Sequence, residues 1–285
     1  MKSKFKEKFM EIIFFISASI SIISLILICV FMFANGIPAI AEIGFFKFLF
    51  GKDWSPTNIP PSFGIFPMIL GSLYVTVGAI LLGVPIGILT AIYLAKFCPE
   101  KLYRYLKPSI NLMAGIPSIV YGFFGLEVLV PLTRNIFKGT GNSILTASIL
   151  LGTMILPTII SLSEAAIRAV PEDYYEGAVA LGATHERSVI FAMLPAAKSG
   201  IMSSIVLGIG RAIGETMAVV MVAGNQARMP NGILKGIRTL TANIVIEMGY
   251  AADLHREALI ATGVVLFIFI LIINGIFSVL KRKVI

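Results

Sequence analysis

Six long stretches of almost uninterrupted apolar residues dominate this sequence. Each is close to or above the ~20 residues that a helix needs to cross the hydrocarbon core of a membrane. Backbone groups in lipid must form hydrogen bonds within their own segment, which favours helices over other spanning structures. The stretches are about Ile12–Ala34, Phe66–Leu94, Ile110–Leu132, Ser143–Leu162, Gly200–Ala223 and Ala258–Leu280. The sequence therefore predicts an all-α integral membrane protein with six transmembrane helices.

The composition excludes an ordinary soluble domain and argues against a nucleic-acid-binding protein. Hydrophobic residues make up 57% of the chain and charged residues 13%, whereas soluble domains carry about 25% charged residues. The net charge is +8, but the basic residues lie mostly at the ends of apolar stretches and form no patch interleaved with aromatic residues. We therefore expect membrane lipid as a partner, and no nucleic acid.

The distribution of basic residues predicts the orientation in the membrane. If the apolar stretches cross alternately, fourteen of the 23 Lys and Arg residues lie on one side and eight on the other, with Arg211 inside a span. The richer side is expected to be cytoplasmic. This places both termini and the polar segment Glu164–Ser199 in the cytoplasm of a multi-pass cell-membrane protein. Segments Asn35–Ile65 and Asn225–Glu257 are then outside, the latter with a short helix near Thr239–Met248.

Signatures of catalysis, metal binding and nucleotide binding are absent. The only Gly-Lys pair, Gly51-Lys52, lacks the preceding glycine of a Walker A loop. His185 and His255 fall on opposite sides of the membrane, and the two cysteines match no ligand spacing. We expect no catalytic residue, no metal site and no cofactor, so the chain is not an enzyme by itself.

The segment Glu164–Ser199 is a polar island between two apolar stretches. Pro171 and the acidic residues after it predict the start of a short helix. Gly182 permits a bend, and a second short helix is expected from about Thr184 to Met193. Its end is predicted at Leu194-Pro195, because proline interrupts a helix. Two short helices at an angle result, and by themselves they could be a simple connector between spans.

Two charged residues, Arg211 and Glu215, interrupt the fifth apolar stretch. Their spacing of four predicts that they are neighbours on one helix face. A charge at the bilayer centre costs on the order of 2.5–3.5 kcal/mol on insertion scales, so both should face a cavity or each other. Two interpretations follow: a transient anion stop in a translocation pathway, or a buried ion pair that fixes helix packing.

Several segments together resemble one family of membrane permeases. Glu176-Gly177-Ala178, Gly182 and Leu194-Pro195 resemble the EAA loop of importer permeases that a separate ATPase drives, with Gly177 in place of the first alanine. Further segments resemble the PstC-type permease of the phosphate-specific ABC importer over nearly the whole chain. They are Trp54-Ser55-Pro56, Phe63-Gly64-Ile65, Ala114–Leu126 and Gly210–Ala218.

The resemblance implies a domain organisation and the roles of individual residues. It implies one ABC-importer transmembrane domain over 1–285 with the type I fold. Its parts are an N-terminal helix (about 9–34), an outer loop (35–65), a core bundle (66–280) and a cytoplasmic coupling loop (164–199). Residues implied to couple to the ATPase are Glu176, Gly177, Ala178, Gly182, Leu194 and Pro195. Arg211 and Glu215 are implied to line the pathway.

The resemblance also implies partners and a substrate. They are a homologous PstA-like permease, a PstB-like ATPase dimer, a PstS-like phosphate-binding protein, and phosphate itself. Trp54 is expected to be an interfacial anchor or a contact with that binding protein. Three alternatives stay open: a permease for another oxyanion (sulfate, molybdate or phosphonate), a secondary transporter driven by an ion gradient, and a membrane scaffold.

Overall fold

The computed structural model describes residues 2–284, with side-chain environments for 6–276 and 279. Within this part of the chain six helices are long and apolar enough to cross a membrane, which confirms the prediction of six spans. They are Lys6–Ile43, Phe66–Phe97, Ser118–Phe137, Ile144–Arg168, His185–Gly214 and Asp253–Ile276. The basic residues at positions 2, 4 and 281–283, which entered the orientation argument, lie outside the described side chains.

The described residues form thirteen α-helices, some within the spans and some between them. The helices are α1 (Lys2–Ile43), α2 (Phe45–Phe50), α3 (Phe66–Ile92), α4 (Glu100–Gly115), α5 (Ser118–Phe124), α6 (Val130–Phe137), α7 (Ile144–Arg168), α8 (Asp173–Ala180), α9 (His185–Ser188), α10 (Leu194–Gly214), α11 (Met217–Val222), α12 (Leu240–Glu247) and α13 (Asp253–Val284). Two short strands, β1 (Trp54–Ser55) and β2 (Ser62–Phe63), pair antiparallel in a hairpin. We call the end of the bundle that carries this hairpin the hairpin end, and the end that carries α8 and α9 the loop end.

Helix α7 is the centre of the bundle, with α3 and α10 packed against it. Glycines allow this close approach: a Cβ at Gly83 would lie 2.8 Å from Ile155 Cδ1, and one at Gly208 would lie 3.0 Å from Ile159 Cγ1. Small residues let helix backbones approach closely in membranes, where dispersion contacts largely replace the hydrophobic effect. Helices α1 and α13 pack on each other.

Three π-helical turns in the described part of the chain precede prolines. They span Tyr93–Phe97, Gly125–Leu129 and Val189–Met193, and each ends two residues before a proline. A proline inside a helix lacks the N–H donor and its ring collides with the carbonyl four residues earlier. A wider π turn relieves that collision, so the chain continues as a helix through Pro131 and Pro195. The predicted helix end at Leu194-Pro195 is therefore wrong.

The predicted third span, Ile110–Leu132, is wrong in its bounds. Helix α4 ends at Gly115, and Ile116 and Pro117 adopt extended conformations before the span begins at Ser118. Proline disfavours the helical conformation of the residue before it, which accounts for the break. Helix α4 carries Lys101, Arg104 and Lys107 and is a separate helix at the loop end.

The outer segment predicted for residues 35–65 is more ordered than a loop. Helix α1 continues to Ile43, beyond the predicted end near residue 34, and α2 and the hairpin follow. Trp54 is buried against Phe63 in this hairpin and is not the predicted interfacial anchor. The short helix predicted near Thr239–Met248 is confirmed as α12, and the Thr239 side chain caps it by accepting a hydrogen bond from Ala242 N.

Candidate functional site

The loop-end segment between α7 and α10 forms two short helices around a glycine. Glu176, Gly177 and Ala178 lie in α8, and Gly182 follows it with φ of +84°, a left-handed conformation that favours glycine. No residue of α8 is buried, and Leu181 at the bend is 90% exposed. The bend at Gly182 is as predicted, whereas Leu194 and Pro195 continue the helix that begins at His185.

This segment is fastened to the end of the second span. The Lys96 ammonium pairs with Glu172 at 3.1 Å, just before α8. His185 bridges two elements, with Nδ1 2.9 Å from the Tyr175 hydroxyl and Nε2 3.1 Å from the Lys96 carbonyl oxygen. The two short helices are therefore held against the last turn of the second span.

A buried carboxylate, Glu164, lies directly beneath this segment. Lys107 Nζ donates to its Oε2 (2.7 Å), Arg168 Nε donates to its Oε1 (2.9 Å), and the Tyr103 hydroxyl donates to the same oxygen (2.7 Å). The bond to Glu164 raises the pKa of Tyr103, because it stabilises the neutral phenol. Only 2% of the Glu164 side chain is exposed.

The coupling loop predicted for residues 164–199 begins too early, because Glu164 belongs to α7. The only signal in the sequence is Arg168, four residues later on the same helix. Lys107 and Tyr103 are 57 and 61 positions away, and nothing local indicates that they would meet it.

Arg211 is held in the middle of the bundle by a hydroxyl. Its Nη1 donates to Thr158 Oγ1 at 3.3 Å, and Thr158 lies near the middle of α7. Among the side chains that the structure describes, no carboxylate lies within ion-pair distance of Arg211. A guanidinium at this depth retains donors for another anion, and it can hold two oxygens of an oxyanion in a fork.

The predicted common helix face for Arg211 and Glu215 is wrong. Helix α10 ends at Gly214, and Glu215 is extended, with ψ of 133°. The freed groups are satisfied locally, as a membrane interior requires: Thr241 Oγ1 donates to the Glu215 carbonyl (3.0 Å), and the Glu215 carboxylate accepts from Ala218 N (3.3 Å). Glu215 is thus no ion-pair partner of Arg211, and it borders a small cavity lined by hydroxyl-bearing side chains, among them Ser72, Thr76 and Thr239.

A second buried carboxylate, Glu247, ties the hairpin end together. Its Oε2 accepts from Trp54 Nε1 (2.8 Å) and lies 2.8 Å from His255 Nε2, while Oε1 accepts from Arg238. The hairpin, the segment before α12, α12 and α13 meet at this one side chain. Nothing local in the sequence indicates this contact, since Trp54 and Glu247 are 193 positions apart.

Among the described residues no cluster of His, Cys, Asp and Glu could hold a metal ion. Six apolar spans with a charged residue inside the bundle are typical of a membrane transport protein. The chain belongs to the family of binding-protein-dependent transport system inner membrane components, whose model matches residues 83–285.

Relatives cover most of the chain. The probable ABC transporter permease YqgH of Bacillus subtilis is 39% identical over 277 residues, 94% of this chain and 89% of that protein. The phosphate transport system permease PstC of Mesorhizobium japonicum is 34% identical and covers 87% of this chain and 82% of its own length. The probable phosphate transport system permease PstC of Methanocaldococcus jannaschii is 32% identical, and the match covers 90% of this chain and 88% of that protein. The predicted resemblance to PstC-type permeases is thereby confirmed.

Solved structures confirm the fold. A subunit of a bacterial alginate ABC transporter superposes with a TM-score of 0.64 at 16% identity, covering 95% of both chains. A subunit of the inward-facing MetNI methionine ABC transporter superposes with a TM-score of 0.62 at 23% identity. The match covers 76% of this chain and 94% of that subunit. The fold is that of type I ABC importer permeases, as predicted.

Proposed function

We propose that this chain is a permease subunit of an ATP-driven phosphate importer. The observation that carries the proposal is Arg211, a cation in the middle of the bundle with a hydroxyl and no carboxylate among its described partners. Phosphate carries negative charge near neutral pH and accepts hydrogen bonds from a guanidinium fork. The names of the PstC relatives, which are phosphate transport permeases, support the choice of phosphate among the oxyanions.

The proposed pathway lies between this chain and a second, PstA-like permease. A PstS-like receptor delivers phosphate at the hairpin end, and a PstB-like ATPase dimer binds at the loop end. ATP binding and hydrolysis on the ATPase rock the paired permeases, so phosphate passes Arg211 and Glu215 and leaves on the other side. This chain makes and breaks no covalent bond in that cycle.

The coupling surface in this proposal is the exposed face of α8 and the bend after it. Glu176, Gly177, Ala178 and Gly182 lie there, and Leu181 offers an apolar side chain to a groove on the ATPase. Leu194 and Pro195 contribute differently: they set the π turn that joins α9 to α10. The helix so formed connects the coupling surface with Arg211 without a break.

The decisive experiment is ATP-dependent uptake of radiolabelled phosphate into proteoliposomes that contain the whole complex, isolated through a tag on this chain. Uptake that an excess of unlabelled phosphate suppresses, and an excess of sulfate or molybdate does not, is the expected result. Efficient competition by sulfate or molybdate instead identifies another oxyanion as the substrate. Uptake that follows an ion gradient and needs no ATP overturns the proposal.

A further inference from the structure

Glu164 and Arg168, in the last two turns of α7, link this helix to α4 and to the end of the second span. Lys107 and Tyr103 reach Glu164 from α4, and Arg168 reaches it from the same helix, α7. The Arg168 guanidinium also donates through Nη2 to the Leu94 carbonyl oxygen (2.7 Å), at the end of the second span. We call Glu164, Lys107, Arg168 and Tyr103 the clamp.

We expect the clamp to be rigid, because its central carboxylate is buried and both of its oxygens accept hydrogen bonds. Charge-assisted hydrogen bonds are shorter and stronger than neutral ones, and three donors converge on a side chain that is 2% exposed. Arg168 also ties the second span to the clamp, because its planar guanidinium can donate to two acceptors at once, here Glu164 and the Leu94 carbonyl oxygen. Arg168 Cζ lies 4.6 Å from the centre of the Tyr103 ring, and this cation–π contact further restricts the guanidinium.

The clamp stands between the coupling surface and the mid-bundle cation. Arg168 is the last residue of α7, and the residues between α7 and α10, which we call the coupling segment, begin immediately after it. Thr158, which holds Arg211, lies on α7 six residues before Glu164, about 9 Å along the helix axis. Glu172 in this segment forms an ion pair with Lys96, two residues after Leu94, whose carbonyl oxygen accepts a hydrogen bond from Arg168.

We propose that Glu164 and Arg168 are positioning residues for coupling: they lock the ends of the second span, α4 and α7 into one body that follows the coupling segment. A displacement imposed on the segment then moves α7 and its Thr158–Arg211 contact, and is not absorbed at the base of the loop. This inference rests on the proposed function only for the direction of the driving force. The rigid body itself is testable without substrate.

Arg168→Lys is the informative variant. It keeps the positive charge next to Glu164, and the native side chain is 45% exposed, so the membrane fold should tolerate it. A lysine has one ammonium and cannot bond Glu164 and the Leu94 carbonyl in the same way as the fork. Arg104→Lys is the matched control, because exposed Arg104 on α4 has no hydrogen bond or ion pair within the described part of the chain.

The first measurement is a distance between spin labels at Lys101→Cys on α4 and Asp173→Cys on α8, with Cys29 and Cys98 replaced by Ala. In the otherwise native complex, we expect one distance that is the same without nucleotide and after trapping with ATP and vanadate. In Arg168→Lys, trapping should shift or broaden the distance, and in Arg104→Lys it should not. A native distance that changes on trapping, or an Arg168→Lys distance that does not, overturns the clamp.

The second measurement is the amount of phosphate imported per ATP hydrolysed. We expect Arg168→Lys to hydrolyse ATP at close to the native rate while this ratio falls by about fivefold or more, the lower range of typical coupling effects. A merely structural role would instead lower both activities in proportion, through loss of assembled complex. Glu164→Gln should lower the ratio too, and adding Arg168→Lys to it should have little further effect, since the two residues act as one unit.

The two measurements separate the clamp from the proposed substrate. If the native complex hydrolyses ATP but imports no phosphate, the proposed function fails, while the label distances still decide the clamp. If the native complex imports phosphate and the distances in Arg168→Lys stay constant, the clamp fails and the function stands.

Discussion

Arg211 is the residue on which transport of an anion depends in this proposal. Replacement by glutamine removes the positive charge and leaves a side chain that can still bond Thr158. We expect Arg211→Gln to abolish measurable phosphate uptake while the complex still assembles, because loss of a desolvated charge partner costs about 2–5 kcal/mol. Arg211→Lys should retain part of the uptake, since the charge remains and the fork is lost.

Assembly and uptake are measured on the same membranes, the first by co-purification of the ATPase with this chain. Arg228→Gln is a suitable control, as Arg228 is exposed at the hairpin end. Failure of Arg211→Gln to assemble would favour a packing role for Arg211 over a role in the pathway.

Thr158 is a second residue whose substitution should change phosphate transport in a specific way. Its hydroxyl orients the Arg211 guanidinium from α7, and a hydrogen bond to a charged group contributes about 1.5 kcal/mol or more. Thr158→Val should therefore raise the apparent KM for phosphate about tenfold with a smaller effect on the maximal rate. Thr158→Ser keeps the hydroxyl and should behave like the native protein. Equal loss in both variants would show that the methyl packing, not the hydroxyl, is what matters.

Arg211 and Glu215 could be identified from the sequence, because they are charged residues within an apolar stretch. Glu164 begins one polar segment and Glu247 lies within another, where a carboxylate is unremarkable, and some of their partners are distant in the chain. Pairing between such groups is a property of the tertiary fold. The sequence therefore identified the mid-bundle cation Arg211 and missed Glu164 and Glu247, the buried carboxylates at the two ends of the bundle.

At the scale of elements, the sequence located every span but not where spans break. Hydropathy depends on composition, which α10 and α11 share, so it gave no sign that the helix ends at Gly214. The break persists because Thr241 from α12 satisfies the Glu215 carbonyl. At Pro195 the error was the opposite one, a break predicted where the helix is continuous. Proline usually interrupts a helix, but the π turn at Val189–Met193 lets the helix continue.

The bend between α8 and α9 gives a prediction at the same scale. Gly182 has a left-handed conformation, and a Cβ there would meet nothing within 4 Å. A substitution should therefore act through backbone strain and the added charge, not through collision inside this chain. We expect Gly182→Asp to leave the protein in the membrane, with ATP hydrolysis retained and phosphate uptake lost.

Gly177→Ala is the matched control for that variant. Gly177 lies inside α8, where a Cβ also meets nothing within 4 Å, and alanine favours the helix by about 1 kcal/mol. Uptake by Gly177→Ala should equal or exceed the native value. Native uptake by Gly182→Asp would contradict a role of the bend in coupling.

For the whole molecule, the excess of basic residues predicts that the loop end faces the cytoplasm. In a chain with Cys29 and Cys98 replaced by Ala, Lys52→Cys should react with a membrane-impermeant maleimide added to intact cells. Arg187→Cys, in α9 at the loop end, should react only after the membrane is permeabilised. Both native side chains are exposed, so access is set by the side of the membrane. The reverse labelling pattern would invert the topology.

Glu247 connects distant parts of the molecule, and its neutralisation should be felt as a loss of global stability. Glu247→Gln leaves Arg238 without its carboxylate in a site where only 15% of that side chain is exposed, and breaking a buried pair costs about 3–5 kcal/mol. Trp54 is the only tryptophan and donates to Glu247, so its fluorescence reports this site directly. We expect a lower unfolding temperature in detergent and altered Trp54 emission, while Glu257→Gln, at an exposed position of α13, changes neither. Unchanged emission and an unchanged unfolding temperature in Glu247→Gln would mean that the hairpin is held by the apolar contacts of Trp54 and Phe63 instead, because those contacts would survive the substitution.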